Sequence, residues 1–261
     1  MTKIANAFKN KKAFIGFLTA GDPSADKTVE YILAMERAGC DLIEIGIPFS
    51  DPTAEGPVIQ EANIRALSAG IKTDGVFDIV RRVREKTAVP LVFLTYMNPV
   101  FHYGYEEFFA KCEELGVDGI ISPELPYEER GEMLPFAAKH NVDMITMVAP
   151  TSEERIKMIA GEATGFVYIV SSMGVTGVRS DITTDIGAIV EHVRAVTDTP
   201  AAIGFGISTP EQAAEMAGIA DGVIVGSAIV KIIEKYGSEA APELEKYVRS
   251  MKAAVASADE D

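Results

Sequence analysis

Glu44 is the single charge in the apolar run LIEIGI (residues 42–47), and Glu55 follows it in the loop sequence PFSDPTAEGP. A carboxylate inside a buried strand is strongly unfavourable when ionised alone, so Glu44 is either paired or has a raised pKa. A carboxyl group tuned in this way can both give and take a proton, which general acid–base catalysis requires. The competing reading for Glu44 is a carboxylate satisfied by a structural hydrogen bond. For Glu55 the competing reading is a solvated loop carboxylate. Three further reactive groups stand at or near apolar runs: Tyr96 closes LVFLTY, Tyr168 lies within FVYIVS, and Glu124 just follows GIIS. Packing with a satisfied hydroxyl is the alternative for Tyr168. No run contains lysine, which removes a strand-borne Schiff base. The three histidines (His102, His140 and His192) form no metal-ligand pattern, so no metal site is expected.

A second set of residues suits an anion. MGVTG (173–177), GFG (204–206) and VGSAIVKII (225–233) are glycine-rich and each follows an apolar run. Glycine lets backbone N–H groups approach an anion closely, and a helix N-terminus adds its partial positive charge. Together these turns predict a phosphorylated small molecule held by backbone amides rather than by lysine.

Elements that bring such groups together must alternate strand with helix. Apolar runs occur at residues 13–19, 42–47, 91–96, 119–122, 144–149, 166–171, 201–206 and 222–226. None clearly alternates polar with apolar, as expected of parallel strands covered on both faces. Amphipathic segments separate them; in ADKTVEYILAMERAG, Val29, Ile32 and Leu33 set an apolar face against a charged one. AGCDLIEI, LGVDGIIS and AGIADGVIV echo one another, each running from a helix-ending glycine through an aspartate into a strand. Eight strand–helix units in this length predict an α/β fold, a single (β/α)8 TIM barrel with short extra helices. Residues 1–256 form that one domain and 257–261 an acidic, disordered tail. A doubly wound sheet is the alternative, but the dinucleotide glycine fingerprint is missing after the first strand. In a barrel the reacting groups gather at the C-terminal strand ends.

Composition narrows the partners. The formal charge of −15 argues against nucleic acid and anionic membrane surfaces, since both require a basic face. Apolar residues make up 48%, enough for a sizeable core, and no apolar run reaches the length of a membrane span. KNKKAFIGFLTAG (9–21) loosely imitates a secretory signal, but its apolar part is short and GDP follows at once, so it reads as the first strand. Cys40 and Cys112 show no framework spacing, which suits a reducing, cytoplasmic setting.

With these residues in view, the chain resembles the tryptophan synthase alpha subunit family over nearly its whole length. FLTAGDP, IEIGIPFSDPTAEGPVIQ, TYMNPVF, GVTGVR, GFGISTPEQ and GSAIVKIIE are similar to the family's segments and stand in its order. The resemblance implies a lyase of tryptophan biosynthesis that cleaves indole-3-glycerol phosphate to indole and glyceraldehyde 3-phosphate by a retro-aldol reaction. It implies no metal or cofactor in this chain, and a heterotetramer of two alpha and two beta subunits, with pyridoxal phosphate in the beta subunit. By the same resemblance Glu44 moves protons, Glu55 stabilises charge at the ring nitrogen, and Tyr168 lines the site beside them. Phe17, Leu94 and Phe205 wall the indole, and Tyr96 joins the substrate-binding set. Thr176 belongs to the lid loop, and Gly177, Gly206, Gly226 and Ser227 form the phosphate cradle. Two positions depart from the family's usual pattern: Glu55 stands where aspartate is usual, and so does Glu124. Ser172 also stands where some members carry arginine. Two other readings stay open, another phosphate-binding barrel enzyme and a catalytically weak regulatory partner of a beta subunit.

Overall fold

A computed structural model describes residues 3–170, 185–204 and 206–258. The apolar runs form nine strands: β1 (Ala13–Thr19), β2 (Leu42–Gly46), β3 (Leu91–Leu94), β4 (Gly119–Ile121), β5 (Asp143–Met144), β6 (Thr146–Val148), β7 (Val167–Val170), β8 (Ala201–Gly204) and β9 (Gly222–Val225). Their order in the sheet is β5-β4-β3-β2-β1-β9-β8-β7-β6, and the neighbouring strands pair in parallel. β5 and β6 are two halves of the run expected to be one strand. The break falls at Ile145, whose N–H donates to the Ile120 carbonyl at 2.9 Å. β5 pairs with β4 and β6 with β7, so the unbroken chain through Ile145 joins the two ends of the sheet into a barrel.

Side-chain parity divides the barrel into two apolar layers. Ile15, Leu42, Val92, Ile121, Ile145, Tyr168, Ala202 and Ile224 form one buried cluster. Phe14, Ile43, Phe93, Ile120, Ile169, Ile203 and Val223, their neighbours in sequence, belong to another, shared with the surrounding helices. Successive residues of a strand point to opposite faces, so the first cluster is the barrel interior and the second the layer beneath the helices. Glu44 has the parity of Leu42 and therefore points inward. The helix Lys3–Ala7 adds Ile4 and Ala7 to the interior cluster, together with Phe8, and plugs the N-terminal mouth.

The echoed aspartates have a common task at that mouth. Asp41, Asp118 and Asp221 each accept a hydrogen bond from the first backbone N–H of the neighbouring strand or the residue just inside it, at Phe14 (2.8 Å), Leu91 (3.0 Å) and Ala201 (2.9 Å). Each also meets a base: Lys252 and Lys11 at Asp41, Arg84 and Lys3 at Asp118, Arg194 at Asp221. These staples hold adjacent strand entrances in register at the N-terminal mouth. The glycines of the echo behave less uniformly. Gly116 ends its helix with φ 72, a left-handed conformation that favours glycine. Gly218 instead lies inside the helix Pro210–Ile219, so the third repeat ends without a glycine cap. The last helix runs Ala241–Ser257, one residue past the expected domain end, and 259–261 of the expected tail lie outside the described residues. Among the described residues no helix is long and apolar enough to cross a membrane.

Asp118 and Arg84 are both largely buried, and removing one partner of such a pair leaves the other uncompensated. Asp118→Ala is therefore expected to lower the unfolding free energy by about 3 kcal/mol, whereas Asp118→Asn, which keeps an acceptor for Leu91 N–H, loses less. Urea denaturation of the two variants checks this order; equal midpoints would remove the staple from the account.

Candidate active site

The cavity at the C-terminal strand ends is lined by Phe17, Glu44, Ala54, Glu55, Ile59, Leu94, Pro123, Met147, Tyr168, Gly206, Ile207, Ile224, Gly226 and Ser227. Eight of the residues singled out in the sequence thus meet around one space: Glu44, Glu55, Tyr168, Phe17, Leu94, Gly206, Gly226 and Ser227. A roomier cavity, about 470 Å³, runs beside it along the divided fifth strand and shares Ala54, Pro123 and Met147. It contains none of the predicted catalytic or binding residues, so convergence of reactive groups, rather than size, identifies the site.

Glu44 is 1% exposed, and its Oε1 has no hydrogen-bond partner among the described residues. Burial, and after it the charge of Glu55, push its pKa up to about 8. Among the described residues that oxygen does not fit the reading of Glu44 as a carboxylate satisfied by a structural hydrogen bond. Near neutral pH the group is mostly protonated yet can lose its proton, the state required of a group that shuttles protons.

Glu55 arrives from the loop between β2 and the helix Pro57–Ser68. Pro57 opens that helix at a position where a missing N–H costs nothing, and Gly56 precedes it in extended backbone. Glu55 is 4% exposed, so it is not the solvated loop carboxylate of the alternative reading. Gln60 Nε2 donates to its carbonyl at 2.7 Å, and the Tyr96 hydroxyl donates to its Oε1 at 3.4 Å.

Tyr168 points inward from β7, and burial, followed by the charges of Glu44 and Glu55, raises its pKa well above the ordinary phenol value. It therefore stays protonated beside the carboxylates. A Cβ on Gly204 would lie 2.4 Å from the Tyr168 hydroxyl, and one on Gly46 would lie 2.7 Å from the Phe17 ring. These two strand glycines make room for the aromatic side chains of the site. Gly206, with φ 83, turns the chain after β8. Gly226 precedes the helix Ser227–Tyr236, whose N-terminus carries no side-chain cap. Its first N–H groups and dipole are thus available to an anion in the cavity.

Three expected site residues, Thr176, Gly177 and Phe205, lie outside the described residues. Tyr96 is buried behind Glu55 and is not part of the cavity wall. Glu124 is exposed, and its carboxylate accepts the Met97 N–H at the start of the helix Met97–Tyr103, a capping arrangement. Sequence reading missed Ala54, Ile59, Pro123, Met147, Ile207 and Ile224. For Ile224 and Met147 the signal was present, since both share the inward parity of their strands. Among the described residues no group of three or more His, Cys, Asp or Glu could hold a metal ion.

The raised pKa of Glu44 links to stability. The folded state keeps a proton on Glu44 that the unfolded chain releases above the ordinary value of 4.5. Stability is therefore fully present below that value and falls as pH rises through the window up to about 8. Glu44→Gln carries no such proton. It should match the parent near pH 4 and exceed it by about 4 kcal/mol at pH 8. Denaturation at the two pH values checks this; an equal difference at both would contradict it.

Comparison with known proteins agrees with this geometry. The family model described as tryptophan synthase alpha chain matches residues 4–258. The tryptophan synthase alpha chain of Lacticaseibacillus casei is 51% identical over 255 residues, covering 98% of this chain and 96% of the relative. That of Caldanaerobacter subterraneus subsp. tengcongensis is 49% identical over 246 residues, 94% of each. Among solved structures, Mycobacterium tuberculosis tryptophan synthase superposes with a TM-score of 0.88 at 34% identity, covering 98% of both chains. The Pyrococcus furiosus tryptophan synthase α2β2 complex gives 0.86 at 36% identity, covering 93% of this chain and 99% of that one.

Proposed function

The chain belongs to the tryptophan synthase alpha chain family, and from that premise we infer that Glu44 and Glu55 carry the lyase reaction of this family in the cavity described above. The reaction cleaves indole-3-glycerol phosphate to indole and glyceraldehyde 3-phosphate, a step of tryptophan biosynthesis. Protonated Glu44 gives its proton to the ring carbon that bears the glycerol phosphate chain. The ring then carries positive charge at nitrogen, and the Glu55 carboxylate facing that N–H stabilises it. The carbon–carbon bond breaks with its electron pair returning to the ring, which becomes indole. Glu44, now a carboxylate, takes the proton of the adjacent side-chain hydroxyl as its oxygen becomes the aldehyde carbonyl, and is ready for the next turnover.

Phe17, Leu94, Ile59 and Ile224 supply the apolar wall for the indole ring. Gly206, Gly226 and Ser227 receive the phosphate, in company with Gly177. Thr176 and Phe205 complete the set assigned to lid and indole wall. Tyr168 stands beside the carboxylates as a neutral phenol. The observation that carries the reading is the buried oxygen of Glu44, unpartnered among the described residues, in the same cavity as Glu55 and an uncapped helix N-terminus. The family membership disfavours another phosphate-binding barrel enzyme.

The partner in this proposal is a tryptophan synthase beta subunit, two alpha with two beta, and pyridoxal phosphate resides in that beta subunit. We place the enzyme in the cytoplasm, a reducing compartment that suits the two unpaired buried cysteines. Adding a matching beta subunit is expected to speed indole formation, because closure of a site on partner binding often completes a catalytic constellation. Equal activity with and without a demonstrably bound beta subunit would contradict this.

Single-turnover release of indole from indole-3-glycerol phosphate tests the assignment. Glu44→Gln keeps the shape but cannot cycle a proton, so turnover should fall by at least ~10²-fold while substrate binding persists. Glu55→Gln should also cripple turnover by weakening a transition-state interaction. Undiminished turnover in Glu44→Gln would overturn the mechanism.

A further inference from the structure

The Tyr96 hydroxyl uses both its hydrogen-bonding capacities on one loop. It accepts the Ala54 N–H at 3.0 Å and donates to Glu55 Oε1 at 3.4 Å, while its ring packs on Phe49 with centroids 5.5 Å apart. Phe49, Ala54 and Glu55 all lie on the segment that joins β2 to the helix Pro57–Ser68, whereas Tyr96 stands two residues beyond β3. One buried side chain of the barrel wall thus grips the catalytic loop at three points. Two of them are the Glu55 carboxylate and the backbone immediately before it.

We propose that Tyr96 is a positioning residue for Glu55: it sets the reach of the catalytic loop, and it suits a glutamate rather than an aspartate at position 55. This rests on the role proposed above for Glu55 in the lyase reaction. The phenol is not part of the cavity wall, so its effect on substrate passes through Glu55. Because burial and the Glu55 charge raise its pKa, the phenol keeps its proton and remains a donor to the carboxylate throughout the working pH range. A donor held against the carboxylate fixes the position of that oxygen relative to the substrate ring. Reach follows from the same bond. At 3.4 Å it is already near the limit of a hydrogen bond. An aspartate, shorter by one carbon–carbon bond of about 1.5 Å, could meet the phenol only if the Ala54 backbone moved, and the same phenol holds that backbone.

The test is a double-mutant cycle in the indole-release assay, with parent, Tyr96→Phe, Glu55→Gln and the double variant. Tyr96→Phe keeps the ring against Phe49 and removes only the hydroxyl. The expected result is a drop of about tenfold in kcat, KM within about twofold of the parent, and a double variant no slower than Glu55→Gln alone. A full multiplicative loss in the double variant, or a raised KM with unchanged kcat, would overturn the positioning role. Glu55→Asp should lower kcat in the parent and cost less in the Tyr96→Phe background; an equal cost in both would count against the matched reach. Amide hydrogen exchange reads the grip without any reaction. The Ala54 N–H should exchange at least about tenfold faster in Tyr96→Phe, with Ala62 in the following helix unchanged, and an unaltered Ala54 rate would refute the proposal. If the parent released no indole, the lyase reading would fall while the exchange result still decided whether Tyr96 holds the loop.

Discussion

A carboxyl group shut inside an apolar barrel, with one oxygen unpartnered among the described residues, is the constraint to which the rest of this structure answers. Ionised Glu44 is penalised by burial and by the neighbouring charge of Glu55, so its proton is held loosely enough to leave and tightly enough to return. Any hydrogen-bond donor supplied to that oxygen would relieve the penalty and lower the pKa. Among the described residues no donor reaches it, and the cavity around it is lined by apolar side chains, a second acid and a phenol. The barrel must be stable enough elsewhere to carry this cost.

Part of that stability comes from the opposite mouth. Asp41, Asp118 and Asp221 staple neighbouring strand entrances, each with its own base, and the first helix closes the interior from below. Glu44 stands apart from the other buried carboxylates of the barrel. At the N-terminal end carboxylates are satisfied by backbone N–H groups and cations. At the C-terminal end Asp22 is likewise paired with Arg65 at 2.8 Å, whereas Glu44 Oε1 has no hydrogen-bond partner among the described residues. Strand parity connects the two, since the inward register that fills the core with Leu42 and Val92 also delivers Glu44 and Tyr168 to the cavity.

Much of this was legible before any coordinates. One charge in an apolar run marked Glu44, the succession of such runs predicted parallel strands around a barrel, and glycine-rich turns after the late strands marked the anion end. The echoed aspartates were visible as a repeat, though not as staples. Local pattern failed where the cause is long-range. Nothing near Tyr96 in sequence indicates that its hydroxyl holds Glu55, 41 positions away. Gly204 reads as part of an anion turn until the Tyr168 hydroxyl is seen to occupy the space its Cβ would need. The break in the fifth strand at Ile145 is equally silent, because an apolar run carries no record of which neighbour each half will pair with. Glu124 misled in the other direction: a carboxylate just past a strand end served a helix start rather than the cavity.

The claim on which the account turns is that Glu44 carries its proton at neutral pH because it is buried beside Glu55. The direct measurement is the titration of the Glu44 side-chain carbonyl carbon by NMR in protein labelled with ¹³C-glutamate, assigned by its loss in Glu44→Gln. The account predicts a midpoint close to 8, shifting downward in Glu55→Gln as the neighbouring charge is removed. A midpoint at the ordinary glutamate value of 4.5, unmoved by Glu55→Gln, would contradict it.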